Sequence, residues 1–415
     1  MKKILLGISA ILFISGTLSA QVNRCSTMEH EAFVKASDPN YELNRQQIEQ
    51  IIHQQMLANP NMKTTGGIII PVVFHILYNT AAENISLAKI TAQMNVLNAD
   101  FSATNSDITS VPNAFQPMIG NSGIQFCFAQ RDQYGNPTDG IIRKPTTNTS
   151  FSTNNGIKFN SSGGDNAWPR DQYLNIWVGD LGSQILGYAQ FPGGAASTDG
   201  VVLHYGTVGG PGALGTSSPY NRGRTATHEI GHWLNLYHIN GDGFCGNDSV
   251  ADTPVQPQLY GGCPSFPTVS ASCGNGPNGA MTMNYMDYTN DVCMYMFTAG
   301  QGTRMNLGFN AYRAALLNSL GCVPTTIGVN EVVQNGISVY PNPSQGLLTV
   351  ENVNGTYINT TIKVNNMLGQ TIISNNYTEF TGVNYLDISS LSDGIYFVEV
   401  NTPVSNRTYR VVLEK

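Results

Sequence analysis

Charge is scarce in this sequence. Only 11 % of its 415 residues are Asp, Glu, Lys or Arg, and the formal balance is acidic at −7. A nucleic-acid-binding face needs clustered Lys and Arg, so that class of function is excluded. Long apolar runs are missing as well. Lys2 and Lys3 precede an apolar run from Ile4 to Ile14, followed by Leu18-Ser19-Ala20. That run is too short to cross a bilayer and reads as a secretory signal peptide over residues 1–20, cut after Ala20. No later segment is long and apolar enough to span a membrane, so the mature chain is expected to be a soluble, secreted or cell-surface monomer. Glycine, in contrast, is abundant at 43 residues, as suits a loop-rich extracellular protein.

Histidine is rare too, at seven residues, yet three fall within Thr227-His-Glu-Ile-Gly-His-Trp-Leu-Asn-Leu-Tyr-His-Ile239. His228 and His232 are four apart, so on a helix they share one face and can grip a single metal ion. Glu229 points about 100° around that helix and can reach a water beside the metal. On a continuing helix, His238 would lie about 9 Å along the axis from His232, out of reach of the same ion. The helix must therefore stop near Asn235, in a left-handed residue, for which Gly is the usual choice and Asn the next. Trp233, Leu234 and Leu236 read as its buried face. Three imidazoles with an open position suit zinc. Hydrolysis by a water that Glu229 deprotonates is the chemistry this set implies. The competing class, a metal-containing surface adhesin, would not need Glu229.

With Asn284-Tyr285-Met286-Asp287-Tyr288 downstream, the motif resembles the metzincin endopeptidases, and within them the pappalysin family in its compact bacterial form. The resemblance covers roughly residues 65–322. It implies zinc on His228, His232 and His238, and Glu229 as general base. It also implies a hydrophobic floor at Met286 and oxyanion stabilisation by Tyr288. The family usually has Gly where Asn235 stands. It further implies that Asp291 lines the pocket just after the scissile bond and favours Arg or Lys there. In the same way Asp248, Asp252 and Thr253, in Gly246-Asn-Asp-Ser-Val-Ala-Asp-Thr-Pro254, resemble a calcium-binding segment of bacterial relatives. Protein or peptide substrates follow.

Seven cysteines are present. In an exported chain Cys245, Cys263, Cys273 and Cys293 read as disulfides, and four cysteines allow three pairings. The pappalysin resemblance favours Cys245–Cys273 and Cys263–Cys293. Cys127 and Cys322 are either a third bridge or two buried thiols. Cys25 is left over, just behind the signal peptide. It is read as a cysteine switch that holds the zinc in the zymogen, against the plainer reading of a free or intermolecularly paired thiol.

The expected organisation is a prosegment over 21–63, a catalytic domain over 64–322, a linker over 323–336 and a C-terminal domain over 337–415. Leu43–Leu57 has helical composition without an obvious partner face, and Arg45 and Lys63 are candidate activation cleavage points. Gly67–Leu77 reads as a buried strand, and Ser86 caps a helix carrying Leu87, Ile90, Met94, Leu97 and Phe101 at helical spacing. Further strands are predicted at Ile124–Ala129, Tyr173–Val178, Leu186–Phe191 and Val201–Tyr205. Leu186–Phe191 is either an ordinary strand or the edge on which an extended substrate adds. His75 and His204 read as structural. The fold class is α+β: a metzincin domain with a twisted mixed sheet, a backing helix, the zinc helix and a loop-rich lower half, then an all-β sandwich. Tyr340-Pro-Asn-Pro-x-x-Gly346, Asp393-Gly-Ile-Tyr-Phe397 and the basic-ended tail resemble the sorting domain read by the type IX secretion machinery.

Overall fold

The computed structural model describes residues 24–58, 67–182, 184–324, 336–403 and 405–415. The predicted signal peptide, the candidate cleavage point Lys63 and residues 325–335 of the predicted linker lie outside them. Helices α1 (Thr27–Ser37) and α2 (Tyr41–Ala58) come first. The chain continues through β1 (Ile68–Tyr78), α3 (Leu87–Phe101), β2 (Ile124–Phe128), β3 (Ile141–Pro145), β4 (Leu174–Gly179), β5 (Gly187–Ala189) and β6 (Val201–His204). Helices α4 (Arg224–Trp233) and α5 (Ala299–Tyr312) follow. Strands β7 (Ile337–Tyr340), β8 (Leu347–Asn365), β9 (Thr371–Asp387), β10 (Gly394–Thr402) and β11 (Ser405–Leu413) complete it.

Strand β1 is buried along nearly its whole length, as expected for a strand covered on both faces. One of its edges pairs with β2 and then β3, and the other with β4, all parallel. Strand β6 joins β4 in parallel, and β5 closes the sheet antiparallel to β6 as a three-residue edge. Ser86 caps α3 by accepting from Lys89 N, and the predicted apolar stripe lies in the main core with Phe126, Ile176 and Leu203. Strand β3 was not among the predicted strands.

Helix α4 packs against α3, β5 and β6 and is buried on all sides. It stops as the motif demands. Asn235 takes φ 79°, its N–H donates to His232 O at 2.8 Å, and Leu236 N donates to Gly231 O at 2.9 Å. That pair of bonds is the Schellman stop. Helix α5 crosses the break so closely that a Cβ on Gly308 would meet Leu234 O at 2.8 Å. Thr298 and Gln301 form a reciprocal capping box at its start, a signal present in the sequence but missing from the predicted elements.

Residues 240–298 hold no strand and no α-helix beyond single 3-10 turns. Cys245–Cys273 and Cys263–Cys293 staple this stretch, and Cys127–Cys322 forms a third bridge. Closing such loops covalently removes unfolded-state freedom that few backbone bonds here would offset.

The C-terminal strands make one antiparallel sheet in the order β11-β10-β8-β7, with β9 also on β8. Strand β8 runs its full length against β9 and offers its other edge first to β7, then to β10. Both ends of the sheet feed one apolar core that contains Leu348, Val350, Ile362, Val398 and Val411.

Two expectations about the N-terminal segment change. Helix α2 does have a partner face, because Ile48 and Ile52 pack on Leu307 of α5. That contact joins residues about 255 apart, so local composition carries no trace of it. Arg45 is no exposed cleavage point. It is 5 % exposed inside α2, and a protease needs an extended, accessible chain.

Candidate active site

The three motif histidines turn their Nε2 atoms toward one point. His232 Nε2 lies 3.1 Å from both His228 Nε2 and His238 Nε2. Each Nδ1–H is engaged outward. His228 donates to Tyr285 O at 2.7 Å, His232 to Leu236 O at 2.7 Å and His238 to Asp242 Oδ1 at 2.5 Å. Those bonds fix the tautomer, so three bare Nε2 lone pairs face each other, an arrangement that a cation stabilises and nothing else here does. Cys25 Sγ completes the group. The four ligand atoms lie within 4.8 Å of one another and all four residues are buried. Burial holds the His232 imidazole down at about 3 and pushes the Cys25 thiol up. A bound cation favours neutral imidazole and thiolate, the forms that ligate. This donor set fits zinc.

Glu229 points to the side of the histidines, and the N-terminal segment covers it. Thr27 Oγ1 donates to Glu229 Oε2 at 2.8 Å, and Cys25 Sγ lies 3.4 Å from the same oxygen. Glu229 Oε1 is buried without a partner. Burial pushes this carboxyl up to about 8. The segment also takes the sheet edge, since Ser26 N donates to Gly187 O at 2.9 Å and Thr27 Oγ1 accepts from Ala189 N at 2.8 Å. Strand β5 is thus a sheet edge to which the protein's own N-terminal segment bonds. Tyr288 donates to Cys25 O at 3.3 Å, and its ring stands beside His228 and His238.

Met286 lies under α4. A Cβ on Gly231 would sit 2.6 Å from its sulfur, so Gly231 permits the close approach. The turn is held by Asn284 Oδ1, which accepts from Met286 N at 2.9 Å, and by Ile239 N on Met286 O at 3.1 Å. Asp291 is fully buried. Arg24, next to Cys25, donates to its Oδ1 at 2.9 Å, while Oδ2 accepts from Arg222 N and Arg224 N at 2.8 and 3.3 Å.

Several contributors lay outside the sequence reading. Asp242 is one of them, a loop aspartate in a Gly-rich run with no local signal of its bond to His238. Thr27 and Arg24 carried no local signal beyond their neighbour Cys25. Helix α2 reaches the motif as well, with Arg45 donating to Asn235 Oδ1 at 2.5 Å and Glu49 Oε1 accepting from Asn235 Nδ2 at 2.9 Å. His75 bonds Asp165 and Asn175, His204 caps Gly206, and neither joins the cluster. In the loop read as calcium-binding, Thr253 Oγ1 lies 2.9 Å from both Asp248 oxygens and from Val250 O. Asp252 instead caps α5, accepting from Thr298 Oγ1 at 2.6 Å and Gly300 N at 2.8 Å.

A family model described as pregnancy-associated plasma protein-A matches residues 159–310, and one described as a secretion system C-terminal sorting domain matches 338–414. Over 260 residues the chain is 33 % identical to an extracellular metalloprotease of Arthroderma otae, covering 60 % of this chain and 81 % of the relative. The chain belongs to the pappalysin family of metalloendopeptidases. An Arthroderma benhamiae extracellular metalloprotease is also 33 % identical, over 60 % of this pappalysin and 80 % of its own length. Among solved structures, Tannerella forsythia mature mirolysin in complex with a cleaved peptide is 48 % identical with a TM-score of 0.58. That likeness covers 60 % of this pappalysin and 97 % of the other chain. A promirolysin mutant from the same organism is 43 % identical with a TM-score of 0.64, covering 71 % and 97 %. The pro-form therefore accounts for more of this chain than the mature form does. With the sorting domain, these relatives make this pappalysin a secreted or cell-surface protein. Among the described residues, no helix is long and apolar enough to cross a membrane.

Proposed function

We propose that the chain is the latent precursor of a zinc endopeptidase, silenced by Cys25, in which Glu229 is the general base. The convergence of Cys25 Sγ with three histidine nitrogens within 4.8 Å carries the proposal. His228, His232 and His238 hold the zinc, which when bound polarises the scissile carbonyl and acidifies water. Once the N-terminal segment leaves, Glu229 is free to take a proton from the attacking water and deliver it to the leaving amine. The Tyr288 phenol, adjacent to the same point, donates to the oxyanion. Extended substrate replaces residues 25–27 along β5, and Asp291 receives an Arg or Lys just after the scissile bond. The Arg24–Asp291 pair supports that preference, because the segment presents a guanidinium to the same carboxylate.

Domain limits belong to the same reading: a signal peptide over 1–20, a prosegment over 21–63, a catalytic domain over 64–322, and a 337–415 tail read by the type IX machinery. Asp248 and Thr253 belong to a calcium site, supported by oxygens of Asp248, Val250 and Thr253 gathered within hydrogen-bond distance. Asp252, which caps α5, would have to turn from Thr298 to join it. A calcium chelator is expected to lower the melting temperature, and an unchanged value would remove the site.

The decisive experiment is Glu229→Ala in the activated protein. Hydrolysis is expected to fall by at least about a thousandfold while stoichiometric zinc is retained. Activity surviving in that variant would overturn the assignment.

A further inference from the structure

Glu49 of α2 is held by donors that belong to the enzyme body. Its Oε1 accepts from Asn235 Nδ2 at 2.9 Å, Tyr237 Oη at 3.1 Å and Arg304 Nη2 at 2.8 Å, and Arg304 Nη2 also lies 2.9 Å from Oε2. Arg304 does not need Glu49 for its position. Its Nε donates to Asn235 O at 3.0 Å and its guanidinium lies 4.9 Å over the Tyr237 ring, at 2 % exposure. A guanidinium aimed by its own domain stays aimed when the prosegment is gone. Glu49 is the one carboxylate paired with it among the described residues, so when the prosegment leaves, the guanidinium is open to a new carboxylate.

The place of this point relative to the cleft can be read from the prosegment. Arg24 sits at Asp291, Cys25 at the histidines, Ser26 on Gly187 and Thr27 on Ala189. Two residues beyond β5, Phe191 touches His232 and Tyr237, with ring centroids 5.3 and 5.8 Å apart. Arg45 lies 4.7 Å over Phe191 and reaches Glu49 Oε1 at 3.5 Å, so the carboxylate point is one side chain away from the end of the substrate edge. With Asp291 taking the residue after the scissile bond, the direction toward Phe191 is the direction of residues before it.

We propose that Arg304, with Tyr237 and Asn235, is a carboxylate-binding subsite of the activated enzyme, selecting an acidic residue about three to six positions before the scissile bond at ~3.3 Å per extended residue. Glu49 fills this subsite in the zymogen. The inference rests on the assignment of Asp291 proposed above.

Peptides carrying Arg after the scissile bond, with Glu or Gln scanned along both sides of it, test the idea on the activated protein. A matched set with Ala in place of that Arg is run beside them. A Glu-over-Gln ratio of about tenfold in kcat/KM is expected at one position within the stated window. Arg304→Gln should bring that ratio to about one while the Arg-over-Ala preference persists. Tyr237→Phe, which removes one donor and keeps the ring under Arg304, should lower the ratio in part and serves if Arg304→Gln fails to fold. A ratio of about one throughout the window, beside an intact Arg-over-Ala preference, overturns the subsite alone. So does a Glu gain that neither variant alters. An absent Arg-over-Ala preference overturns the Asp291 reading instead. The scan on both sides then still decides the subsite by whether Arg304→Gln removes a Glu gain.

Discussion

Thr27 Oγ1 donates to Glu229 Oε2 at 2.8 Å and, through the same oxygen, accepts from Ala189 N. One hydroxyl thus ties down the proposed general base and the proposed substrate edge together. Cys25 alone would block only the metal position. In the proposed latent form two further contacts act beside it, the hydroxyl on Glu229 and the Arg24 guanidinium on Asp291.

Latency is therefore expected to weaken in steps. Cys25→Ala should let the full-length precursor cleave peptide measurably. Thr27→Val, similar in shape but unable to donate, should raise precursor activity less, by about fivefold for one lost hydrogen bond. The comparison is made on intact precursor before any cleavage is visible by mass. If Cys25→Ala is as inactive as the wild type, the switch assignment falls.

Asp242 should tune the metal site through His238. Asp242→Asn keeps an accepting oxygen and tolerates the left-handed backbone at φ 57°, but removes the charge that His238 Nδ1 faces. Zinc affinity measured by chelator competition is expected to drop about tenfold. Equal affinity in the two proteins would mean that the pair merely packs.

Lys158 gives a pH dependence. Burial holds its ammonium down at about 7, with Asp199 opposing the shift, and Nζ donates to Thr198 O at 2.7 Å. Below about pH 7 the lysine is charged folded and unfolded, so the fold bears the full burial penalty. As pH rises from about 7 toward the ordinary lysine value, only the unfolded chain keeps the proton, and stability increases. Lys158→Met should flatten that rise and stabilise the protein most at pH 6. Thermal melts of both proteins from pH 6 to 9.5 check it. Parallel curves would show that Lys158 is not the group responsible.

What could be read in the sequence was local and periodic. The helix of His228 and His232, its stop at Asn235, the Ser86 cap and the alternation in the tail all depend on residues within a few positions of one another. The two staples of the lower half came from family likeness, since spacing alone left three pairings open. Strand β3, five residues with a polar half, was too short to stand out. The contacts of α2 with α5, of Arg24 with Asp291 and of Thr27 with Glu229 join residues more than 200 positions apart. No period or cap records such pairs. Arg45 shows the cost of that: its sequence context suggested an exposed basic residue, and tertiary packing made it a buried clamp on Asn235.

The bridge from Cys127 to Cys322 fastens the last turn of the catalytic body to β2, and Gln130 N and Arg131 reinforce it on Gly321, Val323 and Pro324. A pull on the tail beyond Pro324 would therefore pass in part through this bridge to β2, beside strand β1, before it reaches the end of α5 along the backbone. A tail drawn on or cut away would thus leave part of its load on the sheet, away from the helix break at Asn235.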